Sequence, residues 1–406
     1  MGSRNWPDAY AELIAQLGAY GGNARWTFCG LGACVDALLS VHDAVPVLAG
    51  ANDPQARRLG EILAQRAAAG IGGEIRVEWP AGPGWLDAAL QPECALGGTG
   101  PHAARVLTLI GAPALLCLQH RDAEQMGCID RAICIAEDGR PTPVAEIVPQ
   151  GVPRPKIYIF EFTAGRAVGA ATAPRSSRII VRFTDPDLEH DPQFDALSES
   201  LAGQGGAGVL SAFNALSPAD IGASLARARR LGLAWQAAGL PIVHMEMGGF
   251  ATDALRDRTL AEMRGAATSL GMSQSEYRAL VGEGPESETI IAAAQRFGVR
   301  RLCIHADGWA MAATLGNPEQ ERAALMMGCL LAGTRAALGH PARPQALAPG
   351  VVFDTPPEES RHGDWHIVTC ASPYLPRPLT TLGLGDTFMA GCLLVLGQDH
   401  RPQRPV

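Results

Sequence analysis

From residue 179 to residue 396, short apolar runs alternate with longer stretches of helical periodicity, and that rhythm narrows the choice of fold more than any other feature. The runs at 208–211, 241–245, 301–305 and 365–370 have the length of strands buried on both faces. Between them, 192–202, 218–238, 286–297, 318–338 and 387–396 read as helices. Strands alternating with helices imply a parallel sheet covered on both sides, because each crossover lays its helix on a face. The rhythm also appears earlier, with an amphipathic helix at 6–17, a strand at 26–31, an Ala-rich helix at 54–69, an apolar helix at 102–109 and a strand at 114–118. Residues 126–182 differ. They hold strand-like runs at 131–135 and 156–162, turn signals at Asp138-Gly139 and Ala164-Gly165, and no good helix between. An antiparallel insertion that covers something is the simplest account. The expected fold class is α/β, a three-layer α/β/α core with a smaller β-rich lid. Residues 1–36, 91–125 and 182–406 are assigned to the core, and 37–90 and 126–181 to the lid.

Composition removes several function classes. Forty-one acidic against 33 basic residues give a net charge of −8, which does not attract a nucleic acid backbone. Lys156 is the only lysine, and its context, Arg154-Pro155-Lys156-Ile157-Tyr158, is neither a Walker A loop nor a protein-kinase strand. Any phosphate clamp must therefore use arginine or backbone amides. Ten cysteines without a C-x-x-C pair argue against a zinc ribbon, a redox motif or a disulfide scaffold. No signal core and no long apolar span are seen. A cytoplasmic protein with neither nucleic acid nor membrane partners is expected, as a monomer or homo-oligomer.

The strongest chemical signal is Thr381-Leu382-Gly383-Leu384-Gly385-Asp386-Thr387, leading into the helix at 387–396. Gly383 and Gly385 let the backbone approach an anion around Leu384, and the helix that follows aims its amides at it. Asp386 is placed to take a proton from an alcohol attacking phosphorus. Taken alone, G-x-G-D is also the pattern of a helix N-cap after a tight turn.

The longer stretch resembles the T-V-G-L-G-D-T signature of the ADP-dependent glucokinase/phosphofructokinase family, a branch of the ribokinase-like kinases. Four further stretches fall in that family's order. Gly30-Leu31-Gly32-Ala33-Cys34-Val35-Asp36-Ala37 is similar to its N-x-N-V-D-A strand end, with Gly32 and Cys34 in place of the asparagines. Gly97-Gly98-Thr99-Gly100 resembles G-G-Q-A-G, with Thr99 for glutamine. Val209-Leu210-Ser211-Ala212-Phe213-Asn214 resembles a strand ending in S-G-L-Q or S-G-L-H. Ile242-Val243-His244-Met245-Glu246-Met247 resembles the H-x-E strand end, followed by Gly248-Gly249 rather than A-S. Arg178-Ile179-Ile180-Val181 and Arg301-Leu302-Cys303-Ile304-His305 are weaker matches, and His305 reads equally as a core residue.

The resemblance implies a kinase that moves a phosphoryl group from ADP, giving AMP, to a hydroxyl of a sugar or sugar phosphate. Asp386 would be the base, and Gly383, Leu384 and Gly385 would hold the transferred group. Asp36, Gly98, Thr99 and Asn214 would meet the acceptor, and Arg178 and His305 the nucleotide. Glu246 would support Mg²⁺ or another divalent cation. A kinase of the same fold that uses ATP or an atypical acceptor, and a catalytically degenerate binding protein, remain open alternatives. A Rossmann reading of Gly30-Leu31-Gly32 fails because Val35 stands at the third glycine position.

Overall fold

The structure, a computed structural model, describes residues 4–185, 187–216, 221–282 and 284–398. An eleven-stranded sheet runs through the larger part of the chain. Seven neighbouring strands are mutually parallel: Arg301–His305, Ser269–Ser273, Ile242–Glu246, Gly205–Leu210, Trp26–Cys29, Ala114–Leu116 and Cys134–Glu137. The wholly parallel sheet expected from the rhythm ends at both edges. Trp309–Thr314, Trp365–Ala371 and Ser360–His362 add antiparallel strands on one side, and Arg140–Pro143 adds one on the other. The reason is local. The links at 306–308 and 138–139 are too short for a crossover, so each strand folds back as a hairpin.

Side-chain alternation divides the sheet into two apolar layers. Cys29, Ala114, Leu116, Ala207 and Val209 pack with the helices Trp6–Gly22, Thr99–Ile110, Pro318–Leu338 and Leu384–Leu396. Phe28, Leu115, Leu210, Val243 and Leu270 pack with Pro192–Leu201, Ile221–Ala237, Asp253–Met263 and Ser287–Phe297. The expected helix start at 218 lies outside the described residues. Each large side chain so buried contributes about 1.5–3 kcal/mol. One contact matters for the site: Gly391 lies against Gly328, where an added Cβ would come 2.8 Å from the Gly328 Cα. The two helices can approach only because both positions lack a side chain.

A second sheet of five strands forms the lid, in the order Gly73–Arg76, Ser177–Arg182, Ile157–Phe162, Cys34–Ser40, Glu93–Gly97. It is mixed rather than antiparallel, since Ser177–Arg182 runs parallel to Gly73–Arg76, and Cys34–Ser40 parallel to Ile157–Phe162. Three helices, Val41–Ala49, Pro54–Ala68 and Gly82–Leu90, cover its apolar face. Ser40 and Asp53 cap the first two by accepting from Asp43 N and Gln55 N.

Three stretches sit differently from the assigned boundaries. Residues 34–36 and 93–97 pair within the lid sheet, and 134–143 extends the large sheet. The last follows from burial, because Ile135 enters one layer of the core and Ala136 the other.

Candidate active site

In the lid strands, Ala37, Ile75, Tyr158, Phe160, Phe162, Ile179 and Val181 turn toward the three helices. Their sequence neighbours Asp36, Glu74, Glu161, Arg178 and Arg182 therefore share the opposite face. That face meets the core. Glu161 Oε1 accepts from Thr380 Oγ1 at 3.1 Å, Thr381 N at 3.0 Å and Thr381 Oγ1 at 3.3 Å. Arg178 Nη1 donates to Thr381 O at 2.8 Å. Further along, Asn214 Nδ2 donates to Glu74 Oε1 at 2.9 Å, and Arg76 Nη2 to Asn214 O at 2.8 Å. Arg182 Nε donates to Glu74 Oε2 at 2.8 Å. Glu74 and Arg76 border a cavity of about 250 Å³ with Gly249, Phe250 and Ala251.

Asp36 stands within the strand Cys34–Ser40, buried, with its carboxyl against Gly97. Burial pushes its pKa up to about 7. The Cys34 thiol hydrogen bond and Arg182 pull it down, whereas the charge of Asp386 pushes it up. Gly98 has φ of +94° and opens the helix Thr99–Ile110, and an added Cβ there would come within 2.5 Å of Gly32 O. Glycine is the residue that this conformation and this approach both allow.

On the core side the helix Leu384–Leu396 begins at Gly383, with φ of +64°. Its first backbone bond joins Thr387 N to Gly383 O at 3.0 Å, which leaves the amides of Leu384, Gly385 and Asp386 without intrahelical partners. Free amides at a positive helix end are chemically suited to an anion, and Asp386 stands in the same turn. Arg335 fixes the turn from behind. Its Nη1 donates to Gly383 O at 3.2 Å and Thr387 Oγ1 at 3.1 Å, and meets His102 Nδ1 at 3.3 Å. Arg335 is buried, and desolvation lowers its pKa to about 10. His102, buried beside it, is held neutral by desolvation and by that guanidinium.

Glu246 ends the strand Ile242–Glu246 next to this turn. Its Oε2 lies 2.8 Å from His244 Nε2, and its Oε1 lies 4.0 Å from His305 Nε2. Burial pushes Glu246 up to about 8; His305 lowers it, and Glu276 and Asp386 raise it. Burial lowers His244 to about 3, and its Nδ1 pairs with Ser269 Oγ at 2.9 Å. The His305 ring is 5.1 Å from that of Phe388 and 3.3 Å from where a Cβ on Gly385 would sit. Glu246, His305 and the turn thus form one cluster.

The conserved region of ADP-specific phosphofructokinase/glucokinase matches residues 26–395. The chain belongs to that family. This kinase has the fold of an ADP-dependent kinase solved in complex with fructose-6-phosphate and ADPβS, with a TM-score of 0.82 at 16% identity over 99% of this chain and 100% of that one. A hypothetical ADP-dependent phosphofructokinase from Pyrococcus horikoshii OT3 gives 0.72 at 19% identity, covering 92% and 98%. The last common ancestor of ADP-dependent phosphofructokinases from Methanosarcinales gives 0.72 at 16%, covering 98% and 99%. A comparison with curated proteins returns no match.

The kinase brings Asp386, Gly383, Leu384, Gly385, Glu246 and His305 together at one turn. Asp36, Gly98 and Thr99 converge where the lid strand meets a helix start, and Asn214 joins the lid through Glu74. Arg178 binds the backbone of Thr381. Sequence reasoning missed Glu74, Glu161, His102, Glu276 and Arg335. Glu161 had one signal, a charge inside Ile-Tyr-Ile-Phe-Glu-Phe, and Arg335 likewise is the first charge after the uncharged run 323–334 of its helix. Lys156 pairs with Asp87 at 3.1 Å and Glu124 at 3.0 Å. Among the described residues no helix is long and apolar enough to cross a membrane.

Proposed function

We propose that this kinase moves the terminal phosphoryl group of ADP to a hydroxyl of a sugar or sugar phosphate and releases AMP. The observation that carries the reading is the open amide end of the helix Leu384–Leu396, with Asp386 in its first turn and the lid's Asp36 within electrostatic reach. Asp386 takes the acceptor proton as the oxygen attacks. The amides of Leu384, Gly385 and Asp386 hold charge on the group in transit. Asp36 and Asn214 orient the acceptor against Gly98 and Thr99, and Arg178 and His305 border the donor. The lid sheet excludes water, which would otherwise compete for the phosphoryl group.

A divalent cation fits this site as a partner of the donor phosphates. Burial raises Glu246 and the nearby charges of Glu276 and Asp386 raise it further, so a cation beside Glu246 would relieve that strain. Mg²⁺ keeps much of its water and is held by one or two carboxylates with the donor phosphates, a demand that Glu246 would meet. Bound there, Mg²⁺ would neutralise phosphate charge, with Glu246 holding its water shell. The ADP-dependent kinase bound to fructose-6-phosphate and ADPβS supports this choice of substrates.

The test is product formation with ADP and with ATP across a panel of sugars and sugar phosphates, with and without Mg²⁺. Turnover with ADP is expected, and Asp386→Asn should lower kcat by about 10³-fold. Unchanged turnover in that variant removes the proposed base. Turnover with ATP alone selects the ATP-dependent alternative. Nucleotide and sugar binding by calorimetry, with no product at any metal concentration, makes the chain a binding protein.

A further inference from the structure

Glu161 is the one residue of the strand Ile157–Phe162 that is not buried, and it stands directly opposite Arg178 on the neighbouring strand. Together they grip Thr381 at both ends of its backbone, the carboxylate taking the amide and the guanidinium giving to the carbonyl. The grip passes along the chain. Thr380 Oγ1, which donates to Glu161, accepts in turn from Leu382 N at 3.0 Å, and the next residue is Gly383, where the backbone turns. From the core side, Leu379 N is tied to Ala336 O at 2.7 Å and Gly383 O to Arg335. The segment 379–383 is therefore suspended between the lid sheet and the core.

We propose that Glu161 is a positioning residue that makes the shape of the phosphoryl cradle depend on a seated lid. The proposal rests on the kinase reading above. Glu161 acts through the backbone segment it holds, since its Oε1 accepts three hydrogen bonds from Thr380 and Thr381. Its effect runs through Thr380, Thr381 and Leu382 to the amides that follow Gly383. With the lid seated, the acceptor oxygen bonds to the terminal phosphorus of the donor, the bridging P–O bond breaks, the electron pair leaves with AMP, and the acceptor proton goes to Asp386. With the lid displaced, the segment loses its lid-side bonds and the amides no longer converge on phosphorus. Water is then the competitor, and its attack releases orthophosphate by the same bond changes. One carboxylate thus links acceptor enclosure to the geometry of transfer.

The experiment compares wild type, Glu161→Ala and Glu161→Gln, recording phosphorylated acceptor, orthophosphate release and thermal midpoint. Glu161→Ala should lower kcat for transfer by about 100-fold, as misplacement of a reacting frame does, with donor KM little changed. Orthophosphate released per phosphoryl transferred should rise about tenfold, because exclusion of water is what has been lost. Glu161→Gln, whose amide oxygen accepts the same bonds, should recover to within about fivefold of wild type. Hydrogen exchange gives a readout apart from activity: amides at 379–386 should exchange faster in Glu161→Ala, and those of Arg301–His305 should not. Transfer and hydrolysis falling together, or exchange rising throughout the molecule, overturns the proposal in favour of a purely structural role. If Glu161→Ala does not fold, Thr381→Val removes one of the three bonds, and an unchanged orthophosphate ratio there overturns it equally. A wild type inactive with every acceptor refutes the kinase reading and this inference with it. An active wild type with an unaltered ratio in Glu161→Ala refutes this inference alone.

Discussion

On the core side of the cleft the proposed base and phosphoryl cradle lie in one unbroken stretch, Thr380 to Thr387, set at the start of a single helix. On the lid side the charged groups are Asp36, Glu74, Glu161, Arg178 and Arg182, carried on four strands that are distant in sequence and joined only by pairing. The two halves fix their geometry in different ways. The helix end is determined by local backbone, a glycine with positive φ and a threonine that closes the first turn. The lid face is determined by register, because a slip of one residue in any strand would turn its charged side chains into the apolar layer. The turn at 383–387 is therefore closed locally, the segment before it leans on the lid, and the lid face is a property of the whole sheet. Changes in the turn should act on the chemical step and changes in the lid face on substrate binding, except at Glu161 and Arg178, which reach the turn through Thr380 and Thr381.

The sharpest way to break that comparison is Arg335. It holds Gly383 O and Thr387 Oγ1 from behind the turn, and its removal leaves both without that donor. Arg335→Met should lower kcat by about 100-fold or more with acceptor KM little changed. Arg335→Lys should not rescue it, because lysine is one bond shorter and its ammonium falls short of the place where Nη1 meets Gly383 O, Thr387 Oγ1 and His102. Steady-state kinetics of the two variants check this. A change confined to KM would mean that the turn holds itself and that the guanidinium serves the substrate instead.

The contrast also explains what was legible before the structure. A contiguous motif keeps its spacing in the written sequence, so Gly383, Gly385 and Asp386 could be read with roles attached. The strands Gly205–Leu210, Ile242–Glu246 and Arg301–His305 were visible as apolar runs because they are buried on both faces. Ser269–Ser273 was not, since Ser-Leu-Gly-Met-Ser has no long apolar run and only two apolar residues, Leu270 and Met272, to carry its alternation. Cys34–Ser40 was hidden for another reason. It begins directly after a Gly-rich turn and ends at a helix cap, so its seven residues were divided between core and lid. Glu74 lies in Gly-Glu-Ile-Arg, an edge strand too short to carry periodicity, and only its pairing with Ser177–Arg182 places it opposite Asn214.

Glu74 gives the matching test on the lid side. It holds Asn214 and Arg182 at once, on the wall proposed for the acceptor. Glu74→Ala should raise the acceptor KM about tenfold, the scale of losing a charge-assisted hydrogen bond, with donor KM and kcat within a few-fold of wild type. Titration of initial rates against each substrate separately is the measurement. A fall in kcat comparable to that of Arg335→Met would show that the two halves of the cleft are not separable.

The smallest effect expected concerns protons. Asp36 has its pKa raised from 3.8 to about 7, chiefly by burial. Between those values the folded chain holds a proton that the unfolded chain has released. Unfolding then sheds protons, so stability falls as pH rises through that window. Below about 4 both states are protonated and above about 7 both are ionised, so the contribution of Asp36 levels off at either end. Glu246, raised to about 8, acts in the same direction and extends the decline, whereas His244, lowered to about 3, adds stability as pH rises toward the ordinary histidine value near 6.5. The ligand-free protein should therefore lose a few degrees of thermal midpoint between pH 6.5 and 8, where the histidine contribution is already complete. Asp36→Asn cannot ionise and should flatten the lower part of that decline, leaving the part due to Glu246. A midpoint that falls just as steeply in Asp36→Asn would assign the whole decline to the core side of the cleft.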